Sequence, residues 1–152
     1  MLEYKKILAP IDLSEVSPNI ADYILTMAAK FDAEIHLLFV ARILQHFAGY
    51  YVPSNSIAEF EKSLLDGAER RLYEFRDKYF NSWPRTQAIV VLGDISEEIV
   101  KYIETVGIDL LIMGTHGRRG LDRAVFGSVA ERVIKYSPVP VFVVNTYRAK
   151  TA

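Results

Sequence analysis

Five short apolar runs, residues 7–11, 33–40, 88–92, 110–113 and 139–144, recur along the chain with a helical pattern between each pair. Apart from Glu34 and His36 in the second, each run is apolar on successive and not only alternate residues, which is the signature of a strand covered on both faces. The connections are long enough for crossover helices and too long for hairpins. That order, β-α-β-α-β-α-β-α-β, predicts an α/β fold: one doubly wound, five-stranded parallel sheet of order 3-2-1-4-5 with helices on both faces. A single domain over residues 1–152 is expected, because 152 residues can bury one core without disulfides or metal.

The helical stretches follow from spacing. Ile20, Tyr23, Ile24, Met27, Ala28 and Phe31 recur three and four apart, behind Ser17-Pro18, which reads as a cap followed by proline at the first helical position. A second stripe, of about six turns, holds Ile57, Phe60, Leu64, Leu65, Ala68, Leu72, Phe75 and Tyr79, and Trp83-Pro84 ends that passage. Gly93-Asp94 turns the chain into a third helix bearing Ile95, Ile99, Ile103 and Val106, with Gly107 placed to close it. Val129, Val133 and Ile134 mark a fourth, broken by Ser137-Pro138. Residues 41–56 have no firm period and form the longest irregular connection.

In a doubly wound sheet, ligands bind beyond the carboxyl ends of the strands where the order reverses, here between strands one and four. Pro10, Ile11 and Asp12 end strand one, Val40 ends strand two, and Met113 and Gly114 end strand four. The stretch after Gly114 is rich in glycine and arginine and runs through His116, Gly117, Arg118, Arg119, Gly120 and Arg123 to Gly127-Ser128, where a helix opens. Glycines let backbone N–H groups approach a ligand, and a helix start favours negative charge, so the stretch is an anion site in outline. Val40 and Ile11 offer an apolar wall for a flat base. Asp12 is placed to accept from a ribose hydroxyl or to hold magnesium beside phosphates. A dinucleotide dehydrogenase is disfavoured, because Asp12-Leu13-Ser14 follows strand one in place of a Gly-x-Gly-x-x-Gly turn.

These residues resemble the universal stress protein family, whose nucleotide-binding members carry Gly-x2-Gly-x9-Gly-Ser/Thr. Gly114, Gly117, Gly127 and Ser128 match that spacing in full, and the likeness extends from the Lys-Ile-Leu-Ala-Pro-Ile-Asp opening to the Ser-Pro-Val-Pro-Val-Phe-Val-Val close. The resemblance implies a domain that binds ATP or a related adenine nucleotide and acts in stress response or signalling, commonly as a homodimer. It sets Asp12 and Val40 on the adenine and ribose side and Gly117, Gly127, Ser128 and Val129 at the phosphates. One departure is Leu13, where many members have glycine.

Other classes are narrowed by composition. A net charge of −1 gives no support to a nucleic-acid surface, and no apolar run reaches membrane-spanning length. The absence of cysteine excludes a disulfide framework and agrees with a cytoplasmic protein, as does the lack of a secretory signal's long apolar region. His36 reads as a packed strand residue, and His46 and His116 lack partners at metal-ligand spacing. Strand five, as a sheet edge with Val141, Phe142, Val143 and Val144, is expected to pair with a second copy of the chain. Two alternatives to a binding module that acts on an unnamed protein partner stay open. One is a slow ATPase or adenylate-using enzyme, and the other is a nucleotide-free dimeric scaffold.

Overall fold

A computed structural model of the chain describes residues 1–42, 54–115 and 127–147, with the side chains of Ser54 and Asn55 excepted. The strands β1 (Lys6–Pro10), β2 (Glu34–Ala41), β3 (Thr86–Leu92), β4 (Leu110–Gly114) and β5 (Val141–Val144) form one sheet, all parallel, in the order β3-β2-β1-β4-β5. The helices are α1 (Ala21–Phe31), α2 (Ser54–Tyr79), α3 (Ile95–Val106) and α4 (Ser128–Tyr136). Alternate residues of each strand enter two cores. Ile7, Ala9, Ile35, Leu37 and Ile112 pack with Ile24 and Ala28 of α1 and Leu72 and Phe75 of α2. Leu8, Leu38, Leu111 and Met113 pack with Ile99 and Ile103 of α3 and Ala130 and Val133 of α4. Burial on both faces is why the strand centres are apolar on successive residues, each large side chain contributing about 1.5–3 kcal/mol.

Side-chain hydrogen bonds set where the elements begin. Asp109, just before β4, accepts from Lys5 N–H and Lys6 N–H at 2.8 and 2.9 Å and so aligns the starts of β1 and β4. β3 starts at Thr86, two residues before the apolar run. Trp83 Nε1–H donates to Ala33 O at 2.8 Å, and Arg85 O accepts from Ile35 N–H at 2.8 Å, which docks this end of the strand on β2. β5 starts at Val141, two residues after its apolar run. Val139 is held in a turn, donating to Ser137 Oγ at 3.2 Å and accepting from the same hydroxyl at 2.8 Å.

Two helical expectations need correction. Ser17 does not cap a helix: it lies within a short 3-10 helix, Ser17–Ile20, that runs into α1, and no side chain caps that turn. The stripe on α2 divides. Ala68, Leu72 and Phe75 are buried, whereas Ile57, Phe60 and Leu64 are exposed. Ile134 on α4 is likewise exposed. Gly107 closes α3 in the left-handed conformation, φ 76°, as expected for a helix C-terminus. No helix among the described residues is long and apolar enough to cross a membrane.

Asp94 caps α3, accepting from Glu97 N–H at 3.1 Å and from Ser96 Oγ at 2.9 Å, with Arg132 at 3.8 Å. The bond from Glu97 N–H, aided by Ser96 and Arg132 and opposed by burial, holds its pKa below the usual aspartate value. The folded protein therefore binds this proton less tightly than the unfolded chain does. Its contribution is complete above the ordinary aspartate pKa and fades as pH falls through the lowered folded value. Asp94→Ala is expected to cost about 1 kcal/mol at neutral pH. Melting curves of both proteins from pH 7 into acid should show the difference shrinking.

Candidate functional site

The reversal of the sheet lies between β1 and β4, and three chain segments meet there. β1 pairs with β2 in the register Pro10 to Leu38, and Ile11 N–H continues the ladder by donating to Leu38 O at 2.8 Å. On its other side β1 pairs with β4, Ile7 opposite Leu110 and Leu8 opposite Leu111. Thr115 follows β4, and its carbonyl accepts from Gly127 N–H at 2.9 Å. That bond fixes the start of α4 at the end of β4, the neighbour of the strand whose end leads to Asp12.

Gly127 precedes α4 with φ −63° and ψ 149°, and no side chain caps the helix. The first N–H groups of such a helix lack partners within it, which makes its start a donor to anions. Ser128 is exposed at this start, and Val129 is half-buried against the α3 and α4 core. Met113 and Val40 are buried in that same core, whereas Ile11 is buried in the core on the opposite face. The apolar wall expected from Ile11 and Val40 is therefore not one surface: the two side chains flank the end of the sheet from its two sides. Pro10, Asp12 and Gly114 are half-buried. His116, Gly117, Arg118, Arg119, Gly120 and Arg123 lie outside the described residues, as does residue 46.

The loop after β1 is held tightly. Asp12 Oδ1 accepts from Ser17 Oγ at 2.6 Å and from Ser14 N–H at 3.0 Å, closing a side-chain turn around Leu13. Leu13 adopts φ 57°, a left-handed conformation that suits glycine, which explains why glycine is common at this place in the family it resembles. The leucine is accommodated by packing its side chain on the α1 and α2 core, and Arg71 of α2 donates to its carbonyl at 3.3 Å. On the far side of the 3-10 turn, Asn19 Nδ2 donates to Thr146 O at 2.8 Å, tying the loop to the chain just past β5.

A groove of about 270 Å³ opens between this loop and α2, lined by Leu13, Ser14, Arg71, Phe75, Lys78 and Tyr79 among others. No residue of β4 or α4 lines it, so it is distinct from the start of α4 at the end of β4. Sequence reasoning missed Ser17, Asn19 and Arg71 as supports of the Asp12 loop. Their partners lie 5, 127 and 58 positions away, and only the 5-residue contact with Asp12 was within reach of a local pattern.

His36 is packed, as expected, and is 3% exposed. Its Nε2 is 2.9 Å from Glu34 Oε1, and its Nδ1 is 2.7 Å from the Tyr102 hydroxyl of α3. A carboxylate only accepts, which assigns the proton on Nε2 to that bond. Burial, and secondly the charge of Glu34, push the Tyr102 hydroxyl pKa up, so it stays a neutral donor. The cluster staples β2 to α3 near the start of β2, away from the crevice.

A sequence model of the universal stress protein family matches residues 3–145. The universal stress protein MJ0531 of Methanocaldococcus jannaschii is 36% identical over 143 residues, covering 93% of this chain and 82% of that protein. MJ0577 of the same organism is 33% identical over 93% of this chain and 95% of its own length. Its solved structure superposes with a TM-score of 0.82, covering 99% of this chain and 100% of that one, at 30% identity. A universal stress protein solved in complex with cAMP has the same fold, with a TM-score of 0.65 at 21% identity over 95% of this chain and 99% of that one.

Proposed function

The chain belongs to the universal stress protein family, and from that premise we propose that it binds ATP or a related adenine nucleotide at the edge between β1 and β4. The observation that carries this reading is that the uncapped start of α4 is tied by Gly127 N–H to Thr115 O at the end of β4, the strand beside β1, whose own end leads to Asp12. A carboxylate suited to sugar hydroxyls and a set of N–H donors suited to phosphate then share one edge, the place where doubly wound sheets take ligands. The complete glycine spacing, Gly114, Gly117, Gly127 and Ser128, supports it from the sequence, and the cAMP complex of a protein with this fold agrees in chemical class.

In this reading Asp12 accepts from the ribose, and Pro10, Ile11, Val40 and Met113 border the base. The phosphates lie against Gly117, Gly127, Ser128 and Val129, with His116 and Arg119 on the intervening stretch. Magnesium suits the donor set. It prefers one or two carboxylates plus phosphate oxygens and water, and Asp12 supplies a carboxylate. Bound there, the ion would neutralise phosphate charge.

The chain acts as a nucleotide-responsive module in stress response or signalling, with occupancy altering a surface seen by a protein partner. It forms a homodimer through β5. This strand is a sheet edge, and Phe142 on it is 38% exposed, an apolar side chain that a second copy would cover. Binding is favoured over catalysis because the chain lacks Gly-x4-Gly-Lys-Ser/Thr and Ser-Gly-Gly-x-Asp-Ser loops.

Native mass spectrometry of the purified protein, followed by a turnover assay, tests the function. Retained ATP, ADP or AMP without turnover is expected. ADP accumulating faster than with a Ser128→Ala control would make it an enzyme. No bound nucleotide at millimolar supply would leave only a scaffold.

A further inference from the structure

We propose that Ser17 is a positioning residue for nucleotide recognition, holding the Asp12 carboxylate in the orientation that meets the ligand; this rests on the reading that Asp12 faces the bound nucleotide. Ser17 is 5% exposed, yet it makes no helix cap. Its hydroxyl donates to Asp12 Oδ1 at 2.6 Å and accepts from Ser14 N–H at 3.0 Å, so both functions of the hydroxyl are directed at the loop. A short O–H bond to an ionised acceptor is among the stronger side-chain hydrogen bonds. It fixes the carboxylate before any ligand arrives.

The donor is anchored both within the loop and by the fold beyond it. Ser17 N–H donates to Ser14 O at 3.1 Å and Asn19 N–H to Val16 O at 3.0 Å, forming the 3-10 turn. Asn19 Nδ2 pins that turn to Thr146 O at 2.8 Å, on the chain leaving β5. The position of Asp12 is thereby referred to the far side of β4, the strand whose end leads toward Gly127. Without this donor Asp12 Oδ1 keeps the bond from Ser14 N–H but loses the shorter one, and the ordering left to the ligand would appear as weaker binding.

The test is a thermodynamic cycle measured with ATP by titration calorimetry on the full chain: unsubstituted protein, Ser17→Ala, Asp12→Ala and the double variant. Ser17→Ala is expected to weaken binding about three- to tenfold, and to have no further effect in the Asp12→Ala background, because its action passes through that carboxylate. Ser17→Cys, of nearly the same volume but a weak donor, should reproduce the loss if the alanine variant folds poorly. Binding unchanged in both Ser17 variants, with Asp12→Ala weakened, would overturn this inference and leave the nucleotide reading standing. Independent effects of the two substitutions would also overturn it, since Ser17 would then act without Asp12. Unchanged binding in Asp12→Ala would overturn both the inference and the assignment of Asp12.

Discussion

Gly127→Trp is expected to weaken adenine-nucleotide binding on the order of a hundredfold or more, equivalent to about 2.7 kcal/mol, while the variant remains folded. The backbone at Gly127, φ −63° and ψ 149°, is extended and open to any residue, so the substitution introduces no strain there. The two hydrogen bonds that place it, Gly127 N–H to Thr115 O and Glu131 N–H to Gly127 O, use main-chain atoms that tryptophan keeps. Glycine is also only a moderate helix cap, so its loss from that position costs well under the effect on binding. What changes is the space around the start of α4, where an indole would stand among the donors assigned to phosphate. Ser128→Ala, which removes one hydroxyl from that set, should cost only about three- to tenfold. Titration calorimetry with ATP checks both, and a Gly127→Trp protein that binds like the unsubstituted one would remove the phosphates from this helix.

Val143→Pro is expected to convert the dimer into a monomer without unfolding the sheet. Leu111 N–H donates to Pro140 O and Thr115 N–H to Val144 O, so the even-numbered residues of β5 face β4 in the ladder. The N–H and C=O groups of Val141 and Val143 accordingly point to the open side. Proline at 143 removes one outward donor, leaves the β4 ladder whole, and is tolerated where proline belongs in sheets, on an edge. Sedimentation or scattering mass at micromolar concentration should fall from two chains to one. An unchanged dimer mass would place the interface elsewhere, and a monomeric unsubstituted protein would contradict self-association through β5 outright.

The sheet order was legible because its cause is written residue by residue. Leu8, Leu111 and Ile112 have no polar neighbours within their strands, and only a sheet covered on both faces asks for that. The strand limits were less legible. Whether Val139 joins β5 depends on Ser137 turning its hydroxyl onto it, a competition between a local turn and the ladder that periodicity does not register. Ser17 illustrates the harder case. A serine before a proline and an apolar stripe has the local pattern of a cap, but the oxygen that a cap would offer to a helix N–H accepts from Ser14 N–H instead, while its hydroxyl donates to Asp12. Leu13 was visible as a departure from the family's pattern. Its left-handed φ of 57° gives the reason glycine suits the position, and the contact from Arg71 shows what replaces glycine's freedom. On α2, Ile57, Phe60 and Leu64 continue the stripe of Leu72 in sequence, yet they are exposed where Leu72 is fully buried, a difference that periodicity does not register. Of the candidate site, the residues at strand ends and at the start of α4 could be placed from topology alone, whereas the supports of Asp12 come from across the fold.

The central claim, an adenine nucleotide held where β1 and β4 diverge, is tested most directly by titrating isotope-labelled protein with ATP and following backbone amide resonances. The expected perturbations concentrate at Ile11, Asp12, Val40, Gly114, Gly127 and Ser128 and leave the cluster of Glu34, His36 and Tyr102 unmoved. Perturbations confined to Arg71, Glu74, Lys78 and Tyr79, along the groove beside α2, or none at millimolar ATP, would contradict it.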